Sequence, residues 1–112
     1  MTHYSDEAAA ELDGYEILAE PEQSRFVIRQ HGDQVGVADY VRDEERGVSL
    51  FTHTFVDPAH RGTGLSALLV ARAVPERVAA GDRIEASCWY VAEQIEANPA
   101  LTRPAASPTA PD

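Results

Sequence analysis

Over residues 48–74 the hydrophobic period of the chain changes once, and two glycines sit at the change. Val48-Ser49-Leu50-Phe51-Thr52-His53-Thr54-Phe55-Val56 is rich in β-branched and aromatic residues, which suits a long, mostly buried strand, and Asp57-Pro58 ends it. Arg61-Gly62-Thr63-Gly64 follows, and from Leu65 onward apolar residues recur at helical spacing. A strand that feeds a helix through such a loop leaves the leading amides of the helix unpaired at the positive end of its dipole, where a phosphate fits. The glycines keep side chains out of an anion's way, the Arg61 fork can pair with phosphate oxygens, and Thr63 or Ser66 can add hydroxyl contacts. A tight turn that merely needs two glycines before a helix accounts for the same tetrapeptide.

The flanking pattern restricts the fold further. Phe26 and Ile28 alternate with Arg25, Val27 and Arg29; His31-Gly32-Asp33 supplies a turn; Val35, Val37 and the run Ala38 to Val41 resume, which reads as a β-hairpin. Pro75 removes a backbone donor and is expected to end or bend the helix that starts at Leu65, with Gly81 closing any continuation. Arg83-Ile84-Glu85-Ala86-Ser87 fits a short strand, and Cys88 to Ala97 has the Val91, Ile95 spacing of a helix stopped by Asn98-Pro99. Three strands, a helix, a strand and a helix make an α+β pattern: a mixed, mostly antiparallel sheet whose last strand returns after a crossover helix to pair in parallel. With 112 residues there is material for one core, assigned to residues 23–101. Residues 1–22 carry seven acids and no Arg and lack sustained periodicity, so they read as a weakly ordered lead-in with room for a short helix around Ala8 to Leu12. Residues 102–112, rich in Pro and Ala, read as a disordered tail.

Charge and composition exclude several classes. A net charge of -10 disfavours nucleic acid and anionic lipid as partners, although residues 23–101 hold eleven acids against eight Arg and are nearly balanced. No apolar stretch approaches the roughly 20 residues of a membrane span, and the N-terminus lacks a basic and apolar leader, so a soluble cytoplasmic protein is expected. The lone Cys88 rules out an internal disulfide. The absence of Lys, with abundant Ala, suggests a bacterial source of high G+C content. His3, His31, His53 and His60 have no metal-ligand spacing, and no metal is expected. Nucleophile-elbow, Walker and dinucleotide motifs are missing.

The segment His60-Arg61-Gly62-Thr63-Gly64-Leu65 resembles the pyrophosphate loop of the Gcn5-related N-acetyltransferase superfamily, Gln/Arg-x-x-Gly-x-Gly/Ala. The chain is most similar to very small single-domain members, through His53-Thr54-Phe55-Val56, the Arg-Gly-x-Gly loop, Cys88 and Asn98-Pro99, over roughly Phe26 to Leu101. The resemblance implies acetyl-coenzyme A as cofactor and an amine of unknown identity as acceptor, attacked directly without a covalent enzyme intermediate. It assigns the coenzyme to Phe55, Val56, Arg61, Gly62, Thr63, Gly64, Leu65, Ser66 and Cys88, with the free backbone of Phe55 and Val56 holding the pantetheine arm. His53 is a candidate general base, since imidazole titrates near neutrality, although a histidine in an apolar strand is more often a satisfied structural group. Cys88 is a candidate reactive thiol near the coenzyme sulfur, and equally a buried inert residue. Tyr90 is a weaker candidate proton donor. Ala86, Trp89, Gln94 and Asn98 depart from the small-family pattern, Gln94 standing where a helix Tyr is usual. That departure favours a rival reading, a non-catalytic coenzyme A-binding or protein-interaction module on the same fold. Oligomeric state is not indicated by the sequence.

Overall fold

Alternation of period two builds the sheet. In the computed structural model, which describes residues 3–104, strands β1 (Tyr15–Glu20), β2 (Arg25–Gln30), β3 (Asp33–Asp43) and β4 (Val48–Val56) pair antiparallel in chain order. Helix α2 (Leu65–Ala79) then crosses over and β5 (Arg83–Ala86) pairs in parallel with β4, giving the five-stranded order β1-β2-β3-β4-β5. Helix α1 (Glu7–Leu12) precedes the sheet and α3 (Trp89–Ala97) follows it. This is the mixed, mostly antiparallel α+β sheet expected from the sequence.

α2 covers the sheet with Leu65, Leu69, Val70, Ala73 and Val74, which are buried against Phe26, Ile28, Ala38 and Phe51. Burial at the i, i+4, i+5, i+8, i+9 positions is the apolar stripe of an amphipathic helix. The helix does not end or break at Pro75, as the sequence predicts; Pro75 lies inside it. One lost backbone bond is outweighed by the buried stripe, and an Arg72–Glu76 ion pair spans the proline. At the far end Asp82, buried, takes Arg42 at 2.9 Å, Ser49 at 2.7 Å and Arg77 at 2.9 Å, tying α2 to β3 and β4.

The lead-in expected over residues 1–22 is corrected. The short helix is there, capped by Asp6 through the Ala9 amide at 2.8 Å, but β1 completes the sheet beside β2, and Tyr4, Ala10, Tyr15 and Ile17 belong to the core. Of the seven acids that suggested disorder, two lie in β1, where Glu16 is exposed and Glu20 binds Arg25 at 2.6 Å and Arg29 at 2.8 Å. Of the tail expected from residue 102, Thr102 closes a 3-10 turn (Pro99–Thr102) whose Leu101 packs on the core, and residues 105–112 lie outside the described residues. No helix among the described residues is long and apolar enough to cross a membrane.

Candidate functional site

β4 is longer than its parallel partner, and that mismatch opens the site. β5 pairs with β4 only over Val48 to Phe51; the Phe51 carbonyl accepts from the Ser87 amide at 2.9 Å and the Cys88 amide at 3.2 Å, and the chain then turns into α3. Thr52 to Val56 therefore lack a ladder partner on that edge. The opening is a cleft of about 650 Å³ between these residues, Arg61, Ser66 and the Ser87 to Tyr90 segment.

A bulge decides which peptide groups of β4 face it. Asp39 of β3 opposes His53 and Tyr40 opposes Phe51, so Thr52 is one residue too many on β4. An extra residue reverses the side to which later peptides point. The Phe51 carbonyl points to β5, yet Asp57, an even number of residues on, donates its amide to Val35 of β3 at 2.8 Å, and the Phe55 carbonyl lies against Gly36 of β3. The cleft edge accordingly belongs to the backbone of Thr54 and Val56, not to that of Phe55. The Val56 carbonyl is on this side and accepts from Arg61 Nε at 2.7 Å.

The loop after β4 is a 3-10 turn (Pro58–His60) followed by Gly62 and Gly64 in the left-handed region, at φ 78° and 88°. Only glycine holds φ of this kind without strain. Gly64 caps α2 without a side-chain hydrogen bond, so the leading amides of the helix stay available. A side chain at Gly64 would also meet His3 Nε2 at 2.9 Å and the Tyr4 carbonyl at 3.1 Å, so the glycine is required by the chain's own packing. Thr63 spends its hydroxyl proton on the His60 carbonyl at 2.8 Å, which shapes the turn. Leu65 is buried, and only its amide is free to face a ligand.

Arg61 does two things at once: Nε holds Val56, and the guanidinium lies over the Phe55 ring at 5.3 Å. Its Nη groups remain as donors, and among the described residues it is the one charged residue in the cleft wall. His53 is exposed, its ring stacked on Phe55 at 6.4 Å, and no hydrogen bond holds it among the described residues. Cys88 is half-buried, with Sγ 3.7 Å from Thr54 Oγ1, so the thiol stands on the cleft wall opposite β4. Trp89 and Tyr90 form the outer wall, their rings edge to face at 5.9 Å. Of the sequence-derived candidates, His53, Phe55, Val56, Arg61, Ser66 and Cys88 line one cleft, whereas Gly62, Thr63 and Gly64 are not among its wall residues and Leu65 turns inward. Thr52, Thr54 and Ser87 were missed; a bulge carries no signature in residue type that would have found them. Among the described residues no cluster of His, Cys, Asp or Glu could hold a metal ion.

The model of one protein family, the GCN5-related N-acetyltransferases, matches residues 25–103, which is most of the chain. The chain belongs to this family. Comparison with curated proteins gives no match. Among solved structures, this family member resembles a Klebsiella pneumoniae protein assigned as an acyl-CoA N-acyltransferase, with 25% identity and TM-score 0.56 over 84% of this chain and 69% of that one. It also resembles N-acetylglutamate synthase from Neisseria gonorrhoeae, complexed with coenzyme A and N-acetyl-glutamate (16% identity, TM-score 0.55, 70% of this chain). An integron cassette protein from the mobile metagenome of Cole Harbour Salt Marsh matches at 19% identity and TM-score 0.52, over 83% of this chain and 64% of that one. The N-acetyltransferase-family chain spans 22% of the length of the synthase, and the likeness to it and to the cassette protein is one of fold.

Proposed function

We propose that this N-acetyltransferase-family domain binds acetyl-coenzyme A in the cleft between β4 and α3 and passes the acetyl group to an amine. The observation that carries the reading is the conjunction of an uncapped α2 N-terminus, two left-handed glycines and Arg61 at the end of a strand whose far edge is free. The N-acetylglutamate synthase whose fold this chain resembles is complexed with coenzyme A, which supports the choice of cofactor.

The chain supplies the binding parts in order along the cleft. The leading amides of α2 and the Arg61 Nη groups suit the pyrophosphate, with Ser66 adding a hydroxyl. The pantetheine arm fits alongside β4 as an added strand, its amides pairing with the peptide groups of Thr54 and the amide of Val56, whose carbonyl is held by Arg61. This places the thioester at the Thr54–Cys88 end. Acetyl-coenzyme A supplies an activated carbonyl; the protein holds it, keeps one face open, and offers backbone donors toward its oxygen. Direct attack by the amine needs no enzyme nucleophile, and Cys88 then acts as a wall. His53 at the cleft mouth is the residue able to take the amine's proton. Phe55, Trp89 and Tyr90 surround that mouth without a carboxylate among the wall residues, so a cationic amine would be met by aromatic faces.

A non-catalytic coenzyme A-binding role is the second reading. It is favoured by the exposure of His53, whose ring is stacked on Phe55 and has no hydrogen-bond partner among the described residues. Thiol release from acetyl-coenzyme A with a mixed amine panel, measured against a no-protein control, separates the two. Release above control supports transfer; tight binding without release leaves the binding module.

A further inference from the structure

The loop that follows β4 has few bonds of its own. Within residues 57–64 its backbone is held by the Pro58–His60 turn and the Thr63 hydroxyl on the His60 carbonyl. Its two ends are tied by the Asp57 amide on Val35, Arg61 Nε on the Val56 carbonyl and the Leu68 amide on the Gly64 carbonyl; further restraints come from residues 3–20, which precede the segment matched by the family model. The Tyr4 amide donates to the Thr63 carbonyl at 2.8 Å, and His3 and the Tyr4 carbonyl pack against Gly64. The Tyr15 hydroxyl and His60 Nδ1 lie 2.7 Å apart, with the rings edge to face at 5.6 Å. This strap is itself anchored: Tyr4 donates to Asp13 Oδ2 at 2.6 Å and stacks edge-on with Tyr15 at 5.5 Å, while Arg72 of α2 binds Glu7 at 2.7 Å. Restraints therefore converge on His60, Thr63 and Gly64, the residues around Arg61 and at the start of α2.

We propose that residues 3–20 form a positioning strap that sets the conformation of the Arg61–Gly64 loop, with Tyr15 acting through His60 as the positioning residue. The consequence for coenzyme A rests on reading this loop as the phosphate site; the ordering of the loop does not. A preformed loop presents its amides without an ordering cost at binding.

The test compares wild type with Tyr15→Phe, which keeps the ring in the core and deletes only the hydroxyl bonded to His60. In the ligand-free protein, heteronuclear NOE values of the Gly62, Thr63 and Gly64 amides should fall in the variant while those of β2 to β4 hold. By calorimetry the dissociation constant for coenzyme A should rise about three- to tenfold, the worth of one hydrogen bond, and that for pantetheine, which lacks the phosphates, should not change. Unchanged loop NOE values overturn the strap whatever the ligand does. A loosened loop with unchanged coenzyme A affinity, or equal weakening of coenzyme A and pantetheine, overturns the link from strap to phosphate site. A wild type that does not prefer coenzyme A to pantetheine sinks the phosphate-loop reading alone, and the NOE comparison still decides the strap.

Discussion

Arg61 concentrates two jobs in one guanidinium, since its Nε closes on the Val56 carbonyl while its Nη groups face the cleft. Arg61→Ala should raise the dissociation constant for coenzyme A about ten- to a hundredfold, the range of charge-assisted hydrogen bonds, measured by calorimetry. Arg61→Lys should recover only part of this, because an ammonium cannot hold the carbonyl and present a planar fork together. Cys88 poses a sharper question. Its sulfur donates to Thr54 Oγ1 at 3.7 Å in the cleft wall, so saturating coenzyme A should slow alkylation by a bulky reagent, followed by intact mass. Equal rates with and without ligand would remove Cys88 from the site. Cys88→Ser should keep most of any acetyl transfer, since direct amine attack assigns no bond to the thiol.

At the scale of elements, α2 is fastened at both ends by different means. Its start is caught between the glycines and the N-terminal strap, and its end by Asp82, which gathers Arg42, Ser49 and Arg77. Hydrogen bonds from Arg42, then from Ser49 and Arg77, hold the Asp82 carboxyl well below the usual carboxylate range, against the opposing effect of burial. Asp82→Ala leaves the Ser49 hydroxyl and Arg77 Nη2 without their acceptor, Arg77 keeping only its Nε bond to Ser49, and should cost about 3 kcal/mol in urea unfolding. Pro75 offers the opposite experiment. Helix α2 runs through it, so Pro75→Ala restores a missing amide without changing the stripe, and should stabilise the domain by about 1 kcal/mol. A loss of stability would show that the proline shapes the helix to the sheet.

For the whole molecule the titrating groups predict a plateau with two different edges. Asp82 and Glu20 both titrate lower in the fold than as free carboxyls, Glu20 through Arg25 and then Arg29. Their stabilisation is present above the ordinary carboxylate range and is lost as pH falls through the lowered folded values. Tyr4 is pushed up to about 12, chiefly because its hydroxyl donates to Asp13. Its contribution is present below the ordinary tyrosine value, about 10, and disappears as pH climbs from there toward 12. Melting temperatures across pH should therefore fall at both extremes, with Asp82→Asn flattening the acid edge and Tyr4→Phe the alkaline one. A Tyr4→Phe profile that superimposes on wild type above pH 10 would remove the tyrosine from this account.

What could be read from residue order was local. The β-branched and aromatic run of Val48 to Val56, the glycine loop, the helical stripe after Leu65 and the Val91, Ile95 spacing near the C-terminus each announced their element, because neighbouring side chains alone set those patterns. The candidate phosphate loop was legible as a strand-to-helix turn for the same reason. Tertiary packing decided the rest. β1 hid behind its acids, since the alternation of Tyr15 and Ile17 gains meaning only when β2 and α2 stand beside it. Pro75 stayed helical because the buried stripe on either side outweighs one absent bond. The bulge at Thr52 moved the cleft edge from Phe55 to Thr54, through a register between strands that no single strand records. The loop's conformation likewise depends on bonds from Tyr4 and Tyr15, residues distant in sequence from Thr63 and His60.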